Sequence, residues 1–216
     1  MKRNIGELID KFKKGPSLTY TIIFINVIVY LLTAFVSSYY FKGGIIQADN
    51  RALIILGAMV NLLVGKGQYY RLFTSGFLHG SLLHLALNMV ALGAIGEIIE
   101  KIMGKGKYLI IYISSLLLSS LGSYLYSTTY DGVYISVGAS GAIFGLFGSL
   151  LVICLLNRKI LGKTVLRGIT ELIVVNILIG IFVPNIDMVA HVVGAIVGAL
   201  VTYIILFINK KKLRKQ

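Results

Sequence analysis

Four polar side chains stand inside long apolar stretches of this sequence: His84, Asn88, Ser140 and His191. Their types fit acyl transfer, in which a serine beside a histidine base becomes a nucleophile and donors are needed for the oxyanion that forms. His84 and Asn88, four residues apart, share one helix face, and both can donate from the side chain. Ser140 lies in Gly138-Ala139-Ser140-Gly141 at the expected start of a helix, where its backbone N–H has no intrahelical acceptor and is a third donor. Metal binding is the competing use of the three histidines. His79 and His84 are five apart, about 140° around a helix, so they do not share a face as in His-Glu-x-x-His. Asp187 alone among the carboxylates falls near the histidines, so no metal is expected. The single Cys154 lies in an apolar run and excludes a disulfide framework.

Each of these residues has a plainer reading, in which serines bond their own helix backbone, glycines pack, and histidine and asparagine hold helices together. The elements that carry them decide between the two. The chain has 216 residues, 57% of them hydrophobic and 13% charged, where an ordinary soluble domain is about a quarter charged. Runs at 18–41, 83–103, 108–126, 138–156, 165–183 and 188–208 are each long enough to cross hydrocarbon. The fifth is interrupted near its start by Arg167 and Glu171. This pattern excludes a soluble domain, an outer-membrane barrel and a receptor with a sizeable ectodomain. The first run begins late and is too long for a cleavable signal peptide. The expected organisation is one membrane domain, 18–208, between basic tails at 1–17 and 209–216.

Of the 21 lysines and arginines, 17 sit at alternate ends of the six runs; only Lys42, Arg51, Lys66 and Arg71 fall on the other side. The positive-inside rule then places both termini in the cytoplasm of a multi-pass plasma-membrane protein. The net charge of +13 follows this pattern, so no nucleic-acid partner is expected. Under that topology His84, Asn88, Ser140 and His191 lie within a turn or two of the outer surface, about 2–10 Å down. Three helices present them at one level.

Gly141, Gly145, Gly194 and Gly198 fall at four-residue spacing, which lets helix backbones approach closely in lipid. They are expected to bring the fourth and sixth spans near enough for Ser140 to bond His191. Asp187, four residues before His191, either orients it as a third triad member or caps the sixth helix; the cap is favoured. The stretch 52–64, broken by Gly57 and Asn61, reaches only about 20 Å and is expected to lie half-sunk in the outer leaflet. Ile5, Leu8, Ile9 and Phe12 predict an amphipathic helix on the inner surface. With 13 tyrosines and no tryptophan, tyrosine must supply any aromatic belt.

In these residues the chain resembles a bacterial-type rhomboid intramembrane serine protease: an all-α polytopic membrane protein with a six-transmembrane-helix bundle. The resemblance rests on Tyr70-Arg71, His79-x4-His84-x3-Asn88, Gly96-x3-Glu100, Gly138-Ala139-Ser140-Gly141, and Ala190-His191 with Gly194 and Gly198. It implies Ser140 as nucleophile and His191 as general base and acid, with His84, Asn88 and the Ser140 N–H as the oxyanion site. It implies structural roles for Arg71, His79 and Glu100, as loop anchors and a helix-packing contact. The implied reaction is hydrolysis of a peptide bond in or beside a substrate's transmembrane helix, within the bilayer and without cofactor. The site would open to the extracytoplasmic side, with access gated by the fifth span and the loop over Ser140.

The sequence departs from the common pattern at three positions. Tyr70 replaces a tryptophan. Phe144 replaces the tyrosine that often stacks on the histidine, keeping the ring face. Val193 replaces the first glycine of His-x-Gly-Gly and is expected to loosen the approach of the sixth helix to the fourth. Two rivals remain. A non-catalytic binder of transmembrane helices would lack Ser140 or His191, and both are here. A transporter would show a repeat or discontinuous helices, and neither is evident.

Overall fold

The computed structural model describes residues 17–129, 131–157, 167–168, 170–171 and 186–213. The expected tail at 1–17 and fifth span at 165–183 fall almost wholly outside these residues. The α-helices with described bounds are, in order, α1 (Ser17–Phe41), α2 (Asn50–Leu56), α3 (Asn61–Gly65), α4 (Arg71–Thr74), α5 (Leu82–Met103), α6 (Lys105–Ser127), α7 (Ser140–Leu156) and α8 (Met188–Leu213). Among the described residues, four are long and apolar enough to cross a membrane: α1, α5, α6 and the Met188–Ile208 part of α8. The fourth expected span is shorter: α7 has 17 residues, about 26 Å of helix.

Two of the helices bury polar side chains beside apolar ones and turn large apolar ones outward. The buried face of α1 carries Thr19, Asn26, Thr33 and Ser37, and that of α6 carries Ser115, Ser119, Ser123 and Ser127. Phe24, Ile28, Leu31 and Phe35 of α1 point outward. Lipid does not reward burial of leucine, so packing and interhelical hydrogen bonds hold the helices together. The central helix, α7, is the exception. Every residue from Gly141 to Leu150 is buried, wrapped by α5, α6 and α8.

Glycine sets the tightest contact in the bundle. A Cβ added at Gly194 would strike the carbonyl of Gly141; one at Gly198, that of Gly145; one at Gly148, that of Ala195. All three lie on the α7–α8 seam, where the two backbones touch. Gly141, Gly145, Gly194 and Gly198, expected to bring Ser140 within bonding distance of His191, all lie on this seam.

The 52–64 stretch does not span. Asp49 caps α2, its Oδ1 accepting from the Arg51 N–H at 2.8 Å, and Gly57 ends the helix at a φ of +105°. The chain then forms β1 (Met59–Val60), which pairs antiparallel with β2 (Ile135–Ser136) in the register Met59–Ser136 and Val60–Ile135. The fold is all-α as expected, and this ribbon of two residues per strand only ties two of its loops together. Asn61 clamps it: its Nδ2 donates to the Gly132 carbonyl at 3.0 Å and its Oδ1 accepts from the Tyr134 N–H at 2.9 Å.

Gly198→Val should force α7 and α8 apart, at an overpacking cost of about 1–3 kcal/mol. Thermal unfolding in detergent should show a lower midpoint. Gly106→Ala is the control: nothing lies within 4 Å of its added methyl, and unfolding should occur at the same or a slightly higher temperature.

Candidate active site

The site is assembled from the ends of three helices. Ser81 caps α5, its Oγ accepting from the His84 N–H at 3.1 Å. Two backbone bonds fix this helix start to the preceding loop, Ala48 N–H to Gly80 O at 2.9 Å and Leu82 N–H to Ile46 O at 3.0 Å. His84 and Asn88 follow on one face. Asn88 is buried and spends one amide N–H on the His84 carbonyl, at 3.0 Å. Its second N–H remains for another acceptor.

Ser140 is the first residue of α7, so its N–H has no acceptor within the helix. The turn before it depends on Gly138, at a φ of +127°. A Cβ there would lie 2.8 Å from the His84 Nε2 and 3.8 Å from the Ser140 Oγ, so the imidazole and the hydroxyl flank one point. The Gly138 N–H donates to the Ser75 carbonyl at 2.9 Å.

His191 lies in the first turns of α8 and is buried. Its ring stacks on Phe144 with centroids 4.1 Å apart and planes 11° from parallel. Phe144 stands one turn beyond Ser140, and the Gly141–Gly194 contact sits between them and α8. Ser140, His84, Asn88 and His191 thus collect at one end of the bundle. Among the described residues, Ser140 and His191 share no hydrogen bond, and the His191 Nδ1 has no partner. A cavity of about 20 Å3 beside Ser140, lined in part by Ser75, Ser119, Ser136 and Asp187, has room for about one water.

The residues expected to be structural sit around this core. His79 is fully buried and meets the His84 ring edge-on at 5.0 Å. Burial, and secondarily His84, hold its imidazole far below the ordinary histidine pKa and therefore neutral. Arg71 donates through Nη1 to the carbonyls of Ile54 and Ala58 at 2.7 and 3.0 Å, tying the end of α2, and through Nε to Gln68. Tyr70 lays its ring against that guanidinium, 5.3 Å away. Glu100, at the opposite end of α5, accepts from the N–H groups of Leu18 and Thr19 at 3.1 and 2.7 Å and from the Thr19 hydroxyl at 2.8 Å. It caps α1 from a different helix. No cluster of His, Cys, Asp or Glu among the described residues has the makings of a metal site.

Asp187 caps α8, its Oδ1 accepting from the Ala190 N–H at 2.9 Å. Its Oδ2 accepts from the hydroxyls of Ser136, at 2.6 Å, and Ser123. Sequence reasoning missed both serines. Ser123 had a signal, since Ser115, Ser119, Ser123 and Ser127 recur every fourth residue of α6; Ser136 had none.

Helices long and apolar enough to cross a membrane, with polar side chains on their buried faces, mark a polytopic membrane protein. The family model for the rhomboid domain matches residues 66–207, and the chain belongs to the rhomboid family. It is 35% identical over 188 residues to rhomboid protease GluP of Bacillus subtilis (strain 168), covering 87% of this chain and 34% of the relative. YdcA of the same organism is 34% identical over 154 residues, 71% of this chain and 75% of that protein. RHOMBOID-like protein 5 of Arabidopsis thaliana is 38% identical over 153 residues, 70% of this chain and 48% of that one. The chain thus spans about a third of GluP and about half of RHOMBOID-like protein 5.

Of the three departures from the family pattern, Val193 falls differently from expectation. Its side chain does not enter the α7–α8 seam. It packs on α6, where a Cβ at Gly122 would meet the Val193 Cγ2 at 2.9 Å. The bulk added on α8 sits over a glycine on α6, and the α7 contact keeps Gly194 and Gly198. Val193→Gly should therefore open a void against Gly122 and cost about 1–3 kcal/mol. A thermal melt of the purified variant should show the loss, and a second change, Gly122→Val, should recover part of it.

Proposed function

We propose that this protein is an intramembrane serine endopeptidase that cleaves membrane-protein substrates in or near their transmembrane segments, with Ser140 as nucleophile and His191 as general base and acid. One observation carries this reading: Ser140 opens α7 within reach of the His84 ring, while His191 is held on Phe144 across the Gly141–Gly194 contact. Membership of the rhomboid family, with relatives named as proteases, supports the same chemistry.

The Ser140 Oγ attacks the scissile carbonyl carbon as its proton passes to His191. The oxyanion is met by the Ser140 N–H, the His84 side chain and the free N–H of Asn88. His191 then returns the proton to the leaving amine, and a water, activated by the same imidazole, releases the acyl group. Pairs of this kind often draw together only with substrate bound, in keeping with the open Ser140–His191 geometry. A helical substrate hides its carbonyls in its own hydrogen bonds, so it must unwind locally before attack. His79, Arg71 and Glu100 hold the scaffold, and Gly138, Gly141, Gly194 and Gly198 set the helix approach.

The charge distribution supports a plasma-membrane protein with both termini cytoplasmic and a site facing outward. The catalytic membrane domain is 18–208, between two basic tails. Transmembrane helices of other proteins are the partners, in lipid, and no metal or cofactor enters the reaction.

Detergent-purified protein should label with a serine-directed fluorophosphonate, both Ser140→Ala and His191→Ala should abolish labelling and cleavage, and Ser140→Ala should do so without lowering the melting temperature. A folded wild type that never labels, or a Ser140→Ala variant that still cleaves, overturns the reading. His84→Ala and Asn88→Ala each remove one oxyanion donor and should slow turnover by about 10²-fold. Steady-state kinetics should place that loss in kcat rather than KM.

A further inference from the structure

The two segments that carry Ser140 and His191 meet at one carboxylate. Asp187 Oδ2 accepts from Ser136, in strand β2 four residues before Ser140, and from Ser123 near the end of α6. Its Oδ1 accepts from the Ala190 N–H, beside His191, and the His191 N–H bonds the Asp187 backbone carbonyl at 3.2 Å. An ionised carboxylate only accepts, and both oxygens are used here. The carboxylate is therefore committed to two serines and a helix end, and the His191 Nδ1 carries no partner at all.

We infer that Asp187 is a positioning residue for the proposed proteolysis. It locks the strand leading into Ser140, the end of α6 and the first turn of α8 to one another, and so fixes where His191 stands relative to the nucleophile. The inference rests on the function proposed above. It differs from a triad, in which the carboxylate would bond the histidine ring and stabilise its charged form. The strand it holds is itself pinned on its other edge by β1, so Asp187 closes a frame that reaches from the α2–α4 loop segment to α8. Releasing it leaves Ser140 and His191 chemically intact but free to drift, and displacements on the order of 1 Å cost as much as 10²-fold in rate.

The test compares wild type with Asp187→Ala, Asp187→Asn and Ser136→Ala on a fluorogenic transmembrane-peptide substrate in detergent micelles. Asp187→Ala should lower kcat by about 10- to 100-fold while KM stays within about twofold. Asp187→Asn keeps one acceptor oxygen and an amide that can donate to a serine hydroxyl, so it should recover part of the loss. In the double variant Asp187→Ala/Ser136→Ala the two losses should be less than additive, because both break one link.

Should Asp187→Ala fail to fold, Ser136→Ala alone, which keeps the cap, still has to lower kcat. Unchanged kcat in folded Asp187→Ala, or a loss confined to KM, overturns the inference. No recovery in Asp187→Asn, with Asp187→Ala impaired, also overturns it, in favour of a triad. If wild type neither labels nor cleaves, the functional reading falls and this inference with it. An active wild type beside an equally active Asp187→Ala removes only the positioning role.

Discussion

The contact between the backbones of α7 and α8 is the constraint on which the rest of the structure depends. Gly141 and Gly145 present bare carbonyls to Gly194 and Gly198, leaving no room for a methyl group at any of these crossings. Lipid supplies no hydrophobic force to hold two apolar helices together, so dispersion at such short range and the bonds it permits must do so. The consequence is chemical as well as mechanical. Ser140 and Phe144 flank the first crossing on α7, and His191 lies one turn before it on α8. The crossing sets the α7 end that carries Ser140 against the α8 turn that carries His191.

Around that pair several polar side chains tie one segment of the bundle to another. Ser149 and Thr202 bond across α7 and α8 at 2.7 Å, Arg71 gathers the end of α2, and Asn61 binds two backbone groups of the α6–α7 loop. Among the described residues the central helix is the most enclosed, from Gly141 to Leu150, and it is also the shortest of the long apolar ones. The other helices face lipid on one side, and there apolar residues are ordinary surface. This distribution explains why a chain with so few charges needs no large core.

The helices and most of the site were legible because lipid imposes strict rules. Long apolar runs, glycines at four-residue spacing and polar residues at one depth are linear patterns, and they led to α1, α5, α6, α8 and to the clustering of His84, Asn88, Ser140 and His191. Where the outcome depended on facing rather than spacing, the sequence was ambiguous. Val193 and Gly194 are neighbours, yet successive residues point about 100° apart on a helix, so one faces α6 and the other α7. The β1–β2 ribbon joins two residues on each side across some 75 positions, too short a pairing to leave an alternating pattern. The partners of Asp187 were hidden likewise: a cap is local and readable, while Ser136 reaches the carboxylate only through the path of the whole α6–α7 loop.

Glu100 gives the bundle a dependency in time as well as in space. The first N–H groups of a helix cannot be satisfied from within it, and α1 closes two of them, Leu18 and Thr19, on a carboxylate borrowed from α5. Until the second long helix arrives, the N-terminal end of the first must keep those groups in water or among lipid headgroups. Docking of α5 is therefore also the step that completes α1, and a chain interrupted before Glu100 carries an unfinished helix. The order in which the spans leave the ribosome, first α1 and then α5, matches the order in which that end can be closed.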